Sequence, residues 1–295
     1  MSTPGVGIRC ERKTCRKDGA KSDKRERDQY ALVYETFDNI QRHENPVLSV
    51  NSPIILKAFC NVIGVDANHL SQFQEPFELC SPFELLHHHW EKLEEYHRLA
   101  TDDDVRAHLQ LLLEFMNTEL GVERQRIRSV TQQHQISFEH LWSLFAPGEE
   151  LYHSDGDHPW LLRCSKTTYQ DDPVGGPVCI VSARFTDSSG ELEGDTELRT
   201  VIQRKIFDQN GLIGIAELPI YPLTFWNGDY VSLRKRLEAR GSKYLAINRD
   251  VQFKYYDGEA KYLQTSSDGA LRPISDAHWQ PFLVRIFPSL HTQRC

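Results

Sequence analysis

The chain has 295 residues, 39% of them hydrophobic and 26% charged, with 34 Lys and Arg against 42 Asp and Glu for a net charge of −8. These proportions are those of a soluble protein, long enough for one large domain or two ordinary ones. The longest nearly uninterrupted apolar run, Pro53 to Val65, is broken by Lys57 and Asn61 and falls short of the roughly 20 residues a membrane helix needs, so no membrane span is expected.

Residues 1 to 28 hold nine Lys or Arg against five Asp or Glu, a net of +4, which leaves −12 for the remainder. A basic, Gly- and Ser-containing segment has little apolar surface to offset the entropy of ordering, so residues 1–50 are expected to form a disordered tail and an irregular lead-in. No apolar segment follows its charges, which removes a secretory signal and points to an intracellular protein, cytoplasmic or nuclear. Lys24-Arg25-Glu26-Arg27 is a candidate nuclear address or nucleic-acid anchor, but acidic residues interrupt each basic cluster. The acidic body argues against extended contact with phosphate backbones. Seven scattered cysteines do not suggest a disulfide framework. Cys10 and Cys15 are the only close pair, and no second pair follows to close a zinc site.

Tyr30, Val33, Tyr34 and Phe37 have the spacing of a short helical turn, and Asn45-Pro46 and Ser52-Pro53 punctuate the path. Pro53 behind Ser52 suits the first turn of a helix that ends near Gly64. A weaker turn spans Ala67 to Phe73, and Pro76 and Pro82 bracket a connection. Ser81-Pro82 then opens a helix whose face is traced by Phe83, Leu86, Trp90, Leu93 and Tyr96 or His97. Thr101 or Asp102 caps a second helix with the stripe Val105, Leu109, Leu112, Leu113, Met116 and Leu120, continuing with more polar character toward Gln135. So short a connection predicts an antiparallel helix hairpin within a helical section over 51–136.

His87, His88 and His89 raise a metal hypothesis, but consecutive residues on a regular helix point about 100° apart and cannot converge on one ion. The segment SFEHLWSLFAPGEELY, Ser137 to Tyr152, is the hinge of the chain. Phe138, Leu141, Trp142 and Phe145 share one helical face, and Pro147-Gly148 stops the helix. Leu151-Tyr152 and Trp160 to Tyr169 read as strands joined by the turn HSDGDHP. Cys179 to Phe185 and Leu198 to Phe207 are two more, the last covered on one face only. Prolines 219 and 222 confine IGIAELPIYPLTFW to a sheet edge or a connector. Tyr230 to Arg240 is a basic helix with Gly241 as its stop. Gln252 to Tyr256, Asp257-Gly258 and Ala260 to Leu263 predict a hairpin, and 271–295 a C-terminal tail.

The expected fold is α+β: an N-terminal helical section, then a mostly antiparallel sheet domain over 137–270 with one or two helices. The order HHW at 88–90, SFEHLWSLFAPGEELY, Glu217 to Leu223, Arg240 to Tyr244 and Tyr255 to Ala260 resembles the uncharacterised region that precedes the ATPase module in a group of fungal AAA-type ATPases. It covers about residues 84 to 264. In that family an ATPase follows, with a GxxxxGK[ST] loop; no such loop is present here, so no nucleotide-binding residue can be carried over. The resemblance implies an ATPase-associated binding or regulatory module, non-catalytic, with a protein partner, one candidate being a related full-length AAA-type ATPase. The alternative is a fragment of such an ATPase whose ATP-hydrolysing module lies outside this chain.

The candidate partner-contact residues are Ile220, Tyr221, Pro222 and Trp226 and the arginines Arg234, Arg236 and Arg240. No catalytic, nucleotide-binding or metal-ligating set is assigned, and no cofactor. An independent hydrolase-type enzyme is the weaker reading: GxSxG is absent, Cys164 sits within a strand, and His153, Asp155, Asp157 and His158 read equally well as a polar turn.

Overall fold

The computed structural model describes residues 5–13, 29–37, 45–63, 76–155, 158–173, 175–188, 193–207, 209, 211–248, 252–256, 263–265, 271–273 and 282–286. The elements are an α+β mix, with helices concentrated in the N-terminal half. They divide into two compact units. The first is Met1–Ala146 with Lys205–Ile215; the second is Pro147–Arg204 with Ala216–Cys295. No helix among the described residues is long and apolar enough to cross a membrane.

The first unit contains a four-stranded sheet that the sequence reading did not anticipate. β1 (Gly5–Lys13) runs parallel to β2 (Tyr30–Phe37), which pairs antiparallel with β3 (Val47–Val50), and β3 with the strand Phe77–Cys80. The expected disordered tail therefore gives way at Gly5–Lys13, where Val6, Ile8 and Cys10 recur every second residue beneath the basic composition. The helical turn expected over Tyr30–Phe37 is also corrected. Ala31, Leu32, Val33, Tyr34 and Glu35 are all buried, so this strand is covered on both faces and shows no alternation. The bracketed connection between Pro76 and Pro82 supplies the fourth strand. Ala67 to Phe73, Cys15 and Lys24 to Arg27 lie outside the described residues.

Helix α1 (Pro53–Ile63) starts at the expected proline and buries Ile55, Leu56, Ala58 and Phe59. After β4 (Phe77–Cys80) the chain enters α2 (Glu84–His88), α3 (Trp90–Leu99) and α4 (Asp103–Phe115). The helix expected from Ser81-Pro82 begins only at Glu84, because Phe83 before it is left-handed at φ 60°. It also breaks at His89, so HHW spans a junction rather than opening a helix. The predicted Asp102 cap is present: Oδ1 accepts from the Asp104 and Val105 amides at 2.9 and 3.2 Å. A π turn, Met116–Leu120, joins α4 to α5 (Gly121–Gln132).

Leu32, Leu48 and Val50 from the sheet meet Phe59, Phe83, Leu86, Trp90, Leu93, Leu112 and Met116 in one apolar core. Phe115 packs edge to face on both Tyr34 and Phe83 within it, with centroids 5.1 and 5.8 Å apart, and the Tyr34 and Phe83 rings meet at a tilt, 6.4 Å apart. The buried Trp90 indole N–H is satisfied by the Glu94 carboxylate one turn on, at 2.8 Å. A second small sheet pairs β5 (Gln135–Ser137) antiparallel with Leu212–Gly214.

The second unit is built on a five-stranded antiparallel sheet. β6 (Glu150–Asp155), β7 (His158–Asp172), β8 (Gly176–Ser188) and β9 (Glu193–Gln203) form a meander. With Leu212–Gly214 counted as β10, β11 (Ile220–Pro222) adds beside β6, giving the order β11-β6-β7-β8-β9. The two prolines thus sit at an edge, as expected. Gly176, at φ 76°, closes the β7–β8 turn in a conformation that a side chain disfavours. Leu162 and Cys164 of β7 are buried at alternate positions, while β8, the strand between β7 and β9, buries Val178, Cys179, Val181, Ser182 and Ala183 and so is covered on parts of both faces. β9 ends at Gln203, four residues before the expected Phe207, where Arg204–Ile206 turns into a 3-10 helix.

Gly241 does not stop the last helix. α6 runs from Tyr230 to Asn248, and with no positive φ at Gly241 the residue is simply helical. The hairpin expected at Gln252 is also replaced. β12 (Gln252–Tyr256) pairs with β15 (Phe282–Ile286), and β13 (Leu263–Thr265) with β14 (Leu271–Pro273), so strands occur within the expected tail. The proposed turn at Asp257-Gly258 lies outside the described residues, and local turn chemistry gave no information on a partner strand some thirty positions away.

Candidate functional site

The hinge segment builds the wall of a cleft in the first unit. Residues Phe138–Leu144 form a 3-10 helix rather than an α-helix, and Phe138, Leu141, Trp142 and Phe145 are all buried, as their spacing predicts. The helix is seven residues long, a little over two turns at three residues per turn. The Trp142 ring meets the edges of His87 and His88 at centroid distances of 4.9 and 6.2 Å. Between this wall and α5 lies a cleft of about 400 Å³. Its aromatic lining is Tyr34, Phe83, Trp90 and Trp142, and its carboxylates are Glu119, Glu123 and Glu139.

Arg124 is the cation of this cleft and is already engaged. Its guanidinium stacks 4.2 Å over the Trp90 ring and donates to Glu91, which also receives Arg128 at 3.3 Å. Burial works against the charge on Glu91, but its own backbone amide and the two arginines outweigh that penalty and hold the carboxyl below its usual range.

The three histidines are neutral at neutral pH. His87 is pushed down to about 4 by burial and then by the Arg124 charge, against the pull of Glu91. Burial also takes His88 to about 3, helped by its two histidine neighbours, and His89 to about 4, helped by Lys92. His88 Nε2 and His89 Nδ1 are buried without a hydrogen-bond partner. Among the described residues no three His, Cys, Asp or Glu side chains converge as metal ligands.

Two Ser–His contacts escaped the sequence reading. His140 bridges Ser137, 2.6 Å from Nδ1, and Glu123, which accepts from Nε2. A carboxylate can only accept, so Nε2 is the donor to Glu123 and Nδ1 is the ring nitrogen that meets the Ser137 hydroxyl. That ordering echoes a hydrolase relay, but the serine is only three residues from its histidine. The contact is a clasp across one turn that ties the 3-10 helix to α5. The second pair, Ser52 with His108 at 2.8 Å, is sealed in the interior, and Ser52 Oγ also accepts the Ile55 amide at 3.3 Å. Ser52 is therefore the cap of α1, and no substrate reaches it. Neither pair follows a short nucleophile motif, so spacing alone carried no signal.

The residues singled out as partner contacts lie in the second unit and do not form one patch. Ile220 is 0% exposed and Tyr221 and Pro222 are buried with it, which makes them core of the β11 edge. Trp226 is half-buried and stacks on Tyr152, with centroids 5.6 Å apart and planes 20° apart. It lines a shallow pocket with Glu149, Glu150, Leu223, Thr224 and Tyr230. Arg234 donates to the Tyr230 hydroxyl and to Glu238, at 3.1 Å for the latter. Arg240 points elsewhere, donating to the Pro159 carbonyl at 2.7 Å and lying 5.3 Å over the Trp160 ring. Arg236 is exposed. His153 Nδ1 donates to the Pro219 carbonyl at 2.8 Å, while Asp157 and the Asp155 side chain lie outside the described residues.

Residues 126–227 match a family model described as a domain of unknown function, DUF7025. The match begins within α5 and takes in the 3-10 helix, the five-stranded sheet and Trp226. No curated protein and no solved structure matches the chain.

Proposed function

We propose that this chain is a non-catalytic binding or regulatory module associated with an AAA-type ATPase, working in the cytoplasm or nucleus, and that the cleft between Trp90 and Trp142 seats a segment of its protein partner. The carrying observation is the composition of that cleft: four aromatic rings beneath three carboxylates, with its one arginine occupied by Glu91. Aromatic side chains dominate binding energy where they line a pocket, and a rim of one sign selects partners of the other. The cleft thus suits a partner segment that places Lys or Arg beside an apolar residue. The ATPase association rests on the order of the sequence motifs that resemble the ATPase-linked region. The same role holds whether the motor is on the same polypeptide or on another.

The test adds the purified chain to a related AAA-type ATPase and follows binding and ATP turnover together. Binding with a changed turnover rate is expected, and Glu119→Lys, at an exposed rim position, should weaken binding about ten-fold. ATP hydrolysis by the chain itself, or no binding to any tested ATPase, would count against the reading.

A further inference from the structure

The five-stranded sheet has two edges. One is the three-residue, proline-flanked β11, and the other is the eleven-residue β9. Among the described residues β9 pairs only with β8, so half its peptide groups face away from the sheet. An edge of this length, roughly 35 Å, is usually blunted by charge or proline. β9 has no proline, and its charges are arranged in a way that does not blunt pairing with itself.

We propose that β9 is a self-association edge, along which two copies of this chain pair antiparallel and fuse their sheets into one. The occupant follows from the register. Pairing all eleven residues in a two-fold arrangement puts Leu198 opposite Leu198 of the second copy, and every pair then sums to 396. In that register Glu197 of each copy faces Arg199 of the other, and Thr196 faces Thr200. Apolar, Thr–Thr and opposite-charge pairs are those that stabilise neighbouring strands.

The competing registers are worse. A shift of two residues one way sets Glu197 against Glu197; a shift the other way sets Arg199 against Arg199. A shift of one residue joins the covered face of one sheet to the exposed face of the other, since Leu198, Thr200 and Ile202 are sheltered while Glu197, Arg199 and Val201 are exposed. The longest overlap and the best charge match therefore coincide in one register. In a single copy Arg199 already donates to Glu197 at 2.8 Å, and Ser182 bonds the same carboxylate, but both side chains remain exposed, at 67% and 40%. Such a contact is weak and readily becomes part of a four-charge alternating network across the two-fold axis.

The experiment is sedimentation velocity on the full chain over a concentration series, with circular dichroism to confirm folding of each variant. The wild type should pass from monomer to dimer. Glu197→Arg alone and Arg199→Glu alone should each raise the dimer Kd about ten-fold or more, since each places like charges opposite one another twice. An equimolar mixture of the two variants should dimerise at least as well as the wild type, because every cross-strand pair is again opposite in sign. The double variant Glu197→Arg/Arg199→Glu should do the same by itself. A wild type that stays monomeric throughout overturns the proposal, as does a mixture no tighter than its components. Amide exchange protection of β9 that appears only with a foreign peptide would assign the edge to another strand and overturn it equally.

Discussion

His87, His88 and His89 show how neighbours of identical chemistry acquire a shared property from their burial. Each has its pKa held below the ordinary 6.5 in the folded protein, to about 4, 3 and 4. An unfolded chain would take up protons near pH 6.5 while the folded one does not, so stability falls as the pH drops below 6.5 toward about 4. Above 6.5 both states are neutral there and the effect vanishes. Urea midpoints measured between pH 7 and 5, where most carboxylates stay charged, should decline for the wild type. They should decline less for His88→Asn, the most deeply buried position of the three. Ser52 makes a different residue-scale case. Ser52→Ala removes both the α1 cap and the partner of buried His108, and should cost about 1–3 kcal/mol in denaturant unfolding.

Helix ends separate what local sequence states from what it only suggests. Asp102 caps α4 as its side chain predicts, and Asp102→Ala should cost about 1 kcal/mol in a thermal or urea melt. Gly241 was expected to stop a helix and instead sits within α6, with nothing within 4 Å of where a Cβ would be. Gly241→Ala should therefore stabilise the protein by about 0.5–1 kcal/mol and raise helical ellipticity. A residue required to end the helix would respond with destabilisation instead. The 3-10 segment Phe138–Leu144 shows the converse. Its four apolar positions were legible from spacing, but 3-10 and α templates share i, i+3 contacts, so the tighter winding was not.

At the scale of the molecule, the chain leaves its first unit after Ala146 and returns for Lys205–Ile215. That return supplies the partner strand of β5, and Phe207 packs edge to face on Phe138 at 5.6 Å. A piece ending at residue 146 should therefore unfold at lower temperature than the same piece joined by a flexible linker to residues 205–215. Equal melting temperatures would show that the returning segment does not hold the unit together. The matched region, 126–227, takes in parts of both units and omits Trp90, Leu93 and Leu112. Expressed alone it should bind a hydrophobic dye and lack a cooperative melt.

By itself the sequence determined the α+β class, the helix that Asp102 caps, the buried face at Phe138 to Phe145, the four consecutive strands β6 to β9 of the second unit and the edge position of the proline-flanked segment. All of these follow from periodicity and turn chemistry within a dozen residues. Tertiary structure decided the N-terminal sheet, because β2 is covered on both faces and a short run without alternation fits helix and strand equally. It also decided the pairing of β12 with β15, the return of Lys205–Ile215 to the first unit, and the cleft that brings Trp90, Arg124, His140 and Trp142 together. Each of these joins residues distant in the chain, and a pairing between distant segments is chosen by the surface each partner presents once the rest has folded, which no local pattern encodes.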